Sequence, residues 1–346
     1  MEPQNMLYFA SDYMEGAHPA ILKRLTETNL EHSVGYGLDE YSESAGNRIR
    51  SACCAPDADV FFLSGGTQTN AVLIGAILRP WQGVIAADTG HISCHEAGAI
   101  EAVGHKVMTL PQYDGKLAAQ DIERCVMTYL QDENRDHLVM PGMVYLSQPT
   151  ESGTLYSLQE LKQISAVCRS HDLTLYLDGA RLAYALACPE NDVSLPDLAA
   201  LCDAFYIGGT KCGTLYGEAV VIPKHDFIPH LFTIIKQRGA LLAKGRIAGI
   251  QFDTLFTDDL YFHIGKNAID TADRIRKALA EKGYTFAFQT PTNQIFILLN
   301  QKQLASLSEK IVMGFWEKID EEHTVMRIAT SWATQKEDVD RLIECL

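Results

Sequence analysis

Leu175-Tyr176-Leu177-Asp178-Gly179-Ala180-Arg181 is an apolar run that ends on a carboxylate. Phe205-Tyr206-Ile207-Gly208-Gly209-Thr210-Lys211-Cys212-Gly213 is a second such run that ends on an amine between glycines. Runs this short, without a polar face, read as strands buried on both sides of a sheet. Asp178 and Lys211 are 211 − 178 = 33 positions apart, about one strand–helix–strand unit.

The same alternation extends in both directions. Residues 60–63, 84–87, 107–110, 143–146, 173–177, 204–207 and 219–222 read as strands; 70–78, 96–103, 118–130 and 157–170 read as helices. Strand and helix in repetition imply right-handed crossovers and a mostly parallel sheet covered by helices, an α/β fold. The rhythm changes near residue 240. Helical patterns over 247–256 and 262–281, strands over 294–298 and 324–329 and a helix over 336–345 suggest a smaller α/β unit. The expected division is a large domain over 1–240, with segment 1–16 reaching the site, and a small C-terminal domain over 241–346.

Composition narrows the function. The 346 residues are 47% hydrophobic and 21% charged, which excludes fibrous and disordered classes. Net charge is 29 − 44 = −15. A field of that sign repels phosphodiesters and anionic lipid, so neither nucleic acid nor membrane is an expected partner, and anionic ligands need local cations. Nine cysteines, an odd count without Cys-x-x-Cys, read as reduced thiols. Without a signal-like amino terminus or a long apolar span, the chain reads as cytoplasmic.

In an open parallel sheet ligands bind at the carboxyl ends of strands, and four ends here are chemically loaded. Ser64-Gly65-Gly66-Thr67-Gln68 closes one strand and opens a helix, where backbone N–H groups and the helix dipole favour an anion. Asp178 needs a cation or donors if buried; Arg181 is one available partner. A desolvated lysine such as Lys211 makes a nucleophile for carbonyls, or else a salt bridge. His91 in Asp88-Thr89-Gly90-His91 can present a flat ring. His91 and His95 have a metal-ligand spacing with Cys94 between them, but no third ligand follows and no metal is expected. Pyridoxal phosphate chemistry requires a phosphate cup, a Schiff-base lysine, a carboxylate for the pyridine nitrogen and a ring stacker. The sequence holds one of each.

With Gly66-Thr67-Gln68-Thr69-Asn70, His91 followed by Glu96-Ala97-Gly98, Asp178-Gly179-Ala180-Arg181, and Lys211 after Cys202-Asp203, the chain resembles the threonine aldolase branch of fold-type I pyridoxal-phosphate enzymes, the β-eliminating lyase family. The resemblance runs from Ser11-Asp12 to Arg327. It implies that Lys211 holds pyridoxal 5'-phosphate, Gly66 and Thr67 bind its phosphate, His91 stacks on the ring and Asp178 pairs with the ring nitrogen. Arg181 and Arg327 match the arginines for the substrate carboxylate, with Ser11 beside them. Arg246 matches an arginine that reaches a neighbouring subunit's phosphate, and Tyr36 a residue lining the site across the dimer. A homodimer or homotetramer with shared sites follows. In one respect the chain departs from better-known members: Glu151 in Pro149-Thr150-Glu151-Ser152-Gly153 stands where they carry a histidine, as in a subgroup that includes aldolases for bulkier substrates.

The implied reaction is cleavage of a β-hydroxy-α-amino acid, such as threonine, allo-threonine or phenylserine, to glycine and an aldehyde. Glu151, His91, His95 or an ordered water is the candidate base. The alternatives are another β-eliminating lyase or an aminotransferase acting on a small amino acid, or a non-enzymatic binder on the same fold.

Overall fold

A computed structural model describes residues 6–346, so the first five residues of segment 1–16 lie outside the described residues. Twelve strands occur among the described residues: β1 (Leu7–Phe9), β2 (Asp59–Leu63), β3 (Gln82–Ala87), β4 (Val107–Leu110), β5 (Met140–Ser147), β6 (Thr174–Asp178), β7 (Ala204–Gly208), β8 (Glu218–Ile222), β9 (Thr285–Phe286), β10 (Gln294–Asn300), β11 (Ile311–Lys318) and β12 (His323–Ala329). Seven form one sheet in the order β2-β8-β7-β6-β5-β3-β4. β4, β3, β5, β6 and β7 pair in parallel, while β8 is antiparallel to both β7 and β2. All but β8 therefore point one way, as the alternation predicts. Every residue of β7 and β8 is buried, and every residue of β6 except Thr174. Burial on both faces is why their sequences run apolar without alternating.

Helices cover the sheet through local signals. Leu158–Ser170 begins at a capping box in which Ser157 Oγ accepts from the Glu160 N–H and Glu160 Oε2 from the Ser157 N–H (3.2 and 2.8 Å), a device worth about 1 kcal/mol. Its Leu161, Ile164 and Cys168 join Leu175 and Leu177 in the larger core. Two glycines then set the strand ends. A Cβ on Gly179 would sit 2.0 Å from the Tyr206 carbonyl oxygen, and one on Gly208 2.4 Å from that of Ala180. Only hydrogen at both positions lets the ends of β6 and β7 close together.

The second sheet has the order β1-β11-β12-β10-β9. β1 is parallel to β11; the other pairs are antiparallel. Ile295, Ile297, Leu299 and Ile328 pack on Ile275 and Leu279 of Lys266–Glu281 and on Val339 and Leu342 of Lys336–Cys345. The boundary expected at 240/241 does not follow the packing. Phe252, Leu255, Tyr261, Ala268 and Ile269 belong to the large sheet's core, while Leu7 and Phe9 belong to the small one's. Helix Arg246–Leu255 lies against Glu40–Ala52, which carries Ala45 and Ile49 into that same core.

Periodicity assigns nothing to Pro19–Glu27, Glu40–Ala52, β1 or β11. The two helices do have start signals, Pro19 after His18 and Asp39 accepting from the Ser42 N–H at 2.9 Å. β11 is broken by Gly314 and ends Glu317-Lys318, so its apolar pattern fades halfway.

Candidate active site

Asp178, the last residue of β6, is buried and gathers four donors. Tyr145 Oη donates to Oδ2 at 2.6 Å, Asn70 Nδ2 to Oδ2 at 3.2 Å, the Ala180 N–H to Oδ1 at 3.0 Å, and Tyr206 Oη to Oδ1. Burial alone would raise this carboxyl. His91 and the hydrogen bonds from Tyr145, Tyr206 and Ala180 outweigh burial, and the group falls below its ordinary value. None of the four donors is a cation, so a buried negative charge is left facing the pocket. Arg181, the partner that sequence spacing offered, turns elsewhere.

The pocket, about 280 Å³, is lined by Ser64 to Thr67, His91, Glu151, Asp178, Ala180, Tyr206, Thr210, Lys211 and Glu218 among others. It thus collects Lys211, Asp178, His91, Glu151, Gly66 and Thr67 from strand ends far apart in sequence. Helix Gly66–Ile77 starts at Gly65 without a side-chain cap, so its first-turn N–H groups have no intrahelical acceptor. A Cβ on Gly66 would approach Tyr206 Oη at 3.1 Å, so a side chain there would disturb the donor that holds Asp178.

His91 donates through Nδ1 to Glu96 Oε1 at 2.7 Å, and Asn70 Nδ2 donates to the same oxygen at 2.7 Å. Asn70 therefore bridges Glu96 and Asp178, and Tyr176 Oη fixes it by donating to Oδ1 at 2.7 Å. Burial pulls the His91 imidazole down; the Glu96 bond and the charges of Glu151 and Asp178 pull it further up, and the net direction is upward. His95 stands 5.7 Å from the His91 ring and 6.1 Å from Trp316. Burial lowers its imidazole.

Arg181 pairs with Asp12 instead, donating from Nε to Oδ2 at 2.6 Å and from Nη2 to Oδ1 at 3.0 Å, while Asn293 also donates to Oδ2 at 2.9 Å. Asp12 is buried, yet Arg181 and Lys211 hold its carboxyl down at about 2. Arg181 Nη1 lies 4.0 Å from Glu151 Oε2. Arg327 donates to Gln294 Oε1 (3.0 Å) and the Ala10 carbonyl (2.9 Å), both neutral, so contact leaves its charge uncompensated. Ser11 is buried beside Asp12. Two guanidinium groups so placed can take a carboxylate.

Tyr36 and Arg246 lie outside this pocket. Tyr36, at φ 66°, stacks under Lys236 Nζ at 4.4 Å. Arg246 donates to the carbonyls of Glu31 (2.6 Å) and Thr28 (2.7 Å), beyond the end of Pro19–Glu27, and lines a separate cavity of about 510 Å³. Residues without an assigned role in the sequence also enter the site: Tyr145, Tyr176 and Tyr206 behind Asp178, and Glu218. The tyrosines read as core aromatics, and Glu218 falls one residue before the apolar run 219–222. A charge abutting a fully buried strand was the available signal.

This sheet order, with lysine, carboxylate and helix start meeting at the strand ends, is that of a fold-type I pyridoxal-phosphate enzyme. A single mutant of Thermus thermophilus aspartate aminotransferase shares the fold, with a TM-score of 0.73 over 99% of this chain and 91% of that one, at 14% identity. Residues 8–302 match the beta-eliminating lyase family, and the chain belongs to it. It is 31% identical to the low specificity L-threonine aldolase of Pseudomonas aeruginosa, over 97% of this chain and 95% of that protein. A solved threonine aldolase of Leishmania major is 44% identical over 98% of each chain, with a TM-score of 0.94.

Proposed function

We propose that this chain is a pyridoxal 5'-phosphate-dependent aldolase that cleaves threonine, allo-threonine or a bulkier β-hydroxy-α-amino acid to glycine and an aldehyde. The observation that carries the reading is Asp178, a buried carboxylate held ionised without a cationic donor, on the wall of the pocket that holds Lys211. Bound there, the cofactor supplies an aldehyde for amino groups and a protonated ring that draws electrons from the bond being broken.

The chain's residues do the rest. Lys211 is the attachment point. The N–H groups of Gly66 and Thr67 bind the phosphate, aided by the helix dipole. Asp178 would hold a proton on the ring nitrogen, its carboxylate kept ionised by the donors on both oxygens. His91 would stack on the ring, with Nδ1 committed to Glu96 and Nε2 left for proton exchange. Arg327 and the outer edge of Arg181 hold the substrate carboxylate, with Ser11 beside it, which orients the Cα–Cβ bond. Glu151 removes the β-hydroxyl proton.

Glu151→Gln is expected to lower kcat on threonine by about 10²-fold or more while bound-cofactor absorbance persists. An unchanged kcat would pass the base role to His91. Product analysis tests the reaction itself: glycine and acetaldehyde from threonine support it, whereas a 2-oxo acid and ammonia would mean elimination.

The site is shared within a homodimer or homotetramer in the cytoplasm. Support comes from Leu30, Val34 and Leu38, which are 88%, 64% and 64% exposed beside Tyr36 and the Arg246 cavity. Among the described residues no helix is long and apolar enough to cross a membrane. Substituting Leu30 and Val34 together by aspartate is expected to give a sedimenting monomer with at least tenfold lower activity. An intact, active oligomer would remove this face from the assembly.

A further inference from the structure

Because β8 runs against its neighbours, its first residue lies at the same edge as their last ones. Glu218 pairs in register with Leu63 on one side and Gly208 on the other. It therefore stands between the Ser64–Thr67 segment and the turn that bears Lys211. Its Oε2 accepts from the Gly209 N–H at 3.0 Å, and its Oε1 from Thr210 Oγ1 at 2.7 Å. Thr210 Oγ1 in turn accepts from the Gly217 N–H at 3.0 Å, and the Gly217 carbonyl accepts from Gly209 and Thr210 at 3.0 and 3.1 Å. The approach to Lys211 is clamped by the Gly217 carbonyl and by one carboxylate, Glu218, which is buried and also borders the pocket.

Resting on the cofactor reading above, we propose that Glu218 is the positioning residue for Lys211: it fixes the turn that presents the amine, and its charge governs how readily that amine gives up its proton. The groups that face Glu218 are Lys211 and Cys212 on the turn, Asp178 and Tyr176 on β6, Tyr206 on β7 and Tyr261 from helix Leu260–Ile264. Burial raises its carboxyl to about 7; Thr210, Gly209 and Lys211 resist, and Asp178 adds to the rise. The charge thus changes near neutral pH. Above about 7 Glu218 sets a negative charge beside the turn that bears Lys211; below it, that counter-charge is withdrawn.

The test compares Glu218→Gln, which keeps shape, with Glu218→Asp, which keeps charge. In cofactor-free protein, acetic anhydride labelling of Lys211 is read by mass spectrometry against exposed lysines at pH 8. Glu218→Gln is expected to label several-fold faster than the parent, and Glu218→Asp close to it. Reconstituted with pyridoxal 5'-phosphate, Glu218→Gln should move the pH midpoint of the lysine-bound cofactor's absorbance down by about one unit. The unaltered protein carries a third readout: its Lys211 labelling rate climbs less steeply above about pH 7 than that of exposed lysines. Equal rates for parent and Glu218→Gln, parallel effects of the two substitutions, or no change of slope would overturn the assignment. Loss of the cofactor band in the parent itself would instead strike the aldolase reading, since the labelling comparison needs no cofactor.

Discussion

Lys211→Ala is expected to abolish turnover, by about 10³-fold or more, which is roughly 4 kcal/mol of transition-state stabilisation. The fold should survive, because Lys211 contributes its backbone independently of its amine. Its carbonyl accepts from Tyr184 Oη at 2.5 Å, and the turn before it is closed by the Gly217 carbonyl and Glu218. A melting temperature near the parent's, with no absorbance band from lysine-bound cofactor, is the expected pair of results. Near-normal turnover in a folded Lys211→Ala protein would remove the central assumption of the mechanism.

The second large effect belongs to Asp178. Asp178→Asn preserves shape but removes the charge proposed to hold a proton on the ring nitrogen, so kcat is expected to fall about 10²–10⁴-fold with cofactor still bound. The sign of its pH dependence follows from the lowered carboxyl. A depressed folded-state value gives stability that is present above the ordinary carboxylate range and lost as pH falls through the folded value. The parent should therefore keep Asp178 charged throughout and below the ordinary carboxylate range, and any acid limb of activity above that range belongs to another group. The substitution also costs stability. Tyr145 and Tyr206 both donate to the carboxylate, and an amide nitrogen facing either one sets donor against donor. Thermal melting of Asp178→Asn beside Asp178→Asn with Tyr206→Phe measures that conflict. A variant with parental kcat would show that the ring nitrogen needs no charged partner.

Asp178 and Lys211 were legible from sequence for one physical reason: each interrupts a run that must be buried on both faces. A charge in that place demands an explanation, whereas a polar residue in a loop does not. The strand series over the large sheet was legible on the same ground, since β6, β7 and β8 run apolar except at their ends. Tyr145, Tyr176 and Tyr206 were not. A phenol inside a strand satisfies the apolar pattern equally well whether its hydroxyl meets a carboxylate or nothing, and only the register of β5, β6 and β7 decides. Arg181 shows where spacing leaves alternatives open. Three positions from Asp178, it was open to pairing with that carboxylate, but the chain closes the gap with Asp12, 169 residues away, at a place no spacing rule reaches. Glu218 was hidden by the direction of β8, because a strand's first residue reaches the ligand edge only when the strand is reversed. Tyr36 and Arg246 stay out of the pocket of their own chain, and their expected role depends on a second subunit.

β1 joins the two ends of the chain, pairing Leu7 with Ile311 and Phe9 with Met313, and leads directly into Ser11, Asp12 and Tyr13. Asp12, which neutralises Arg181, is thus held by a strand that docks some three hundred residues further along the chain. Placing Asp12 beside Arg181 therefore requires closing a loop of about three hundred residues between β1 and β11, a costly non-local contact. A chain without β11 would keep Lys211, Asp178 and the helix start at Gly66, yet lose the strand on which β1 docks ahead of Asp12.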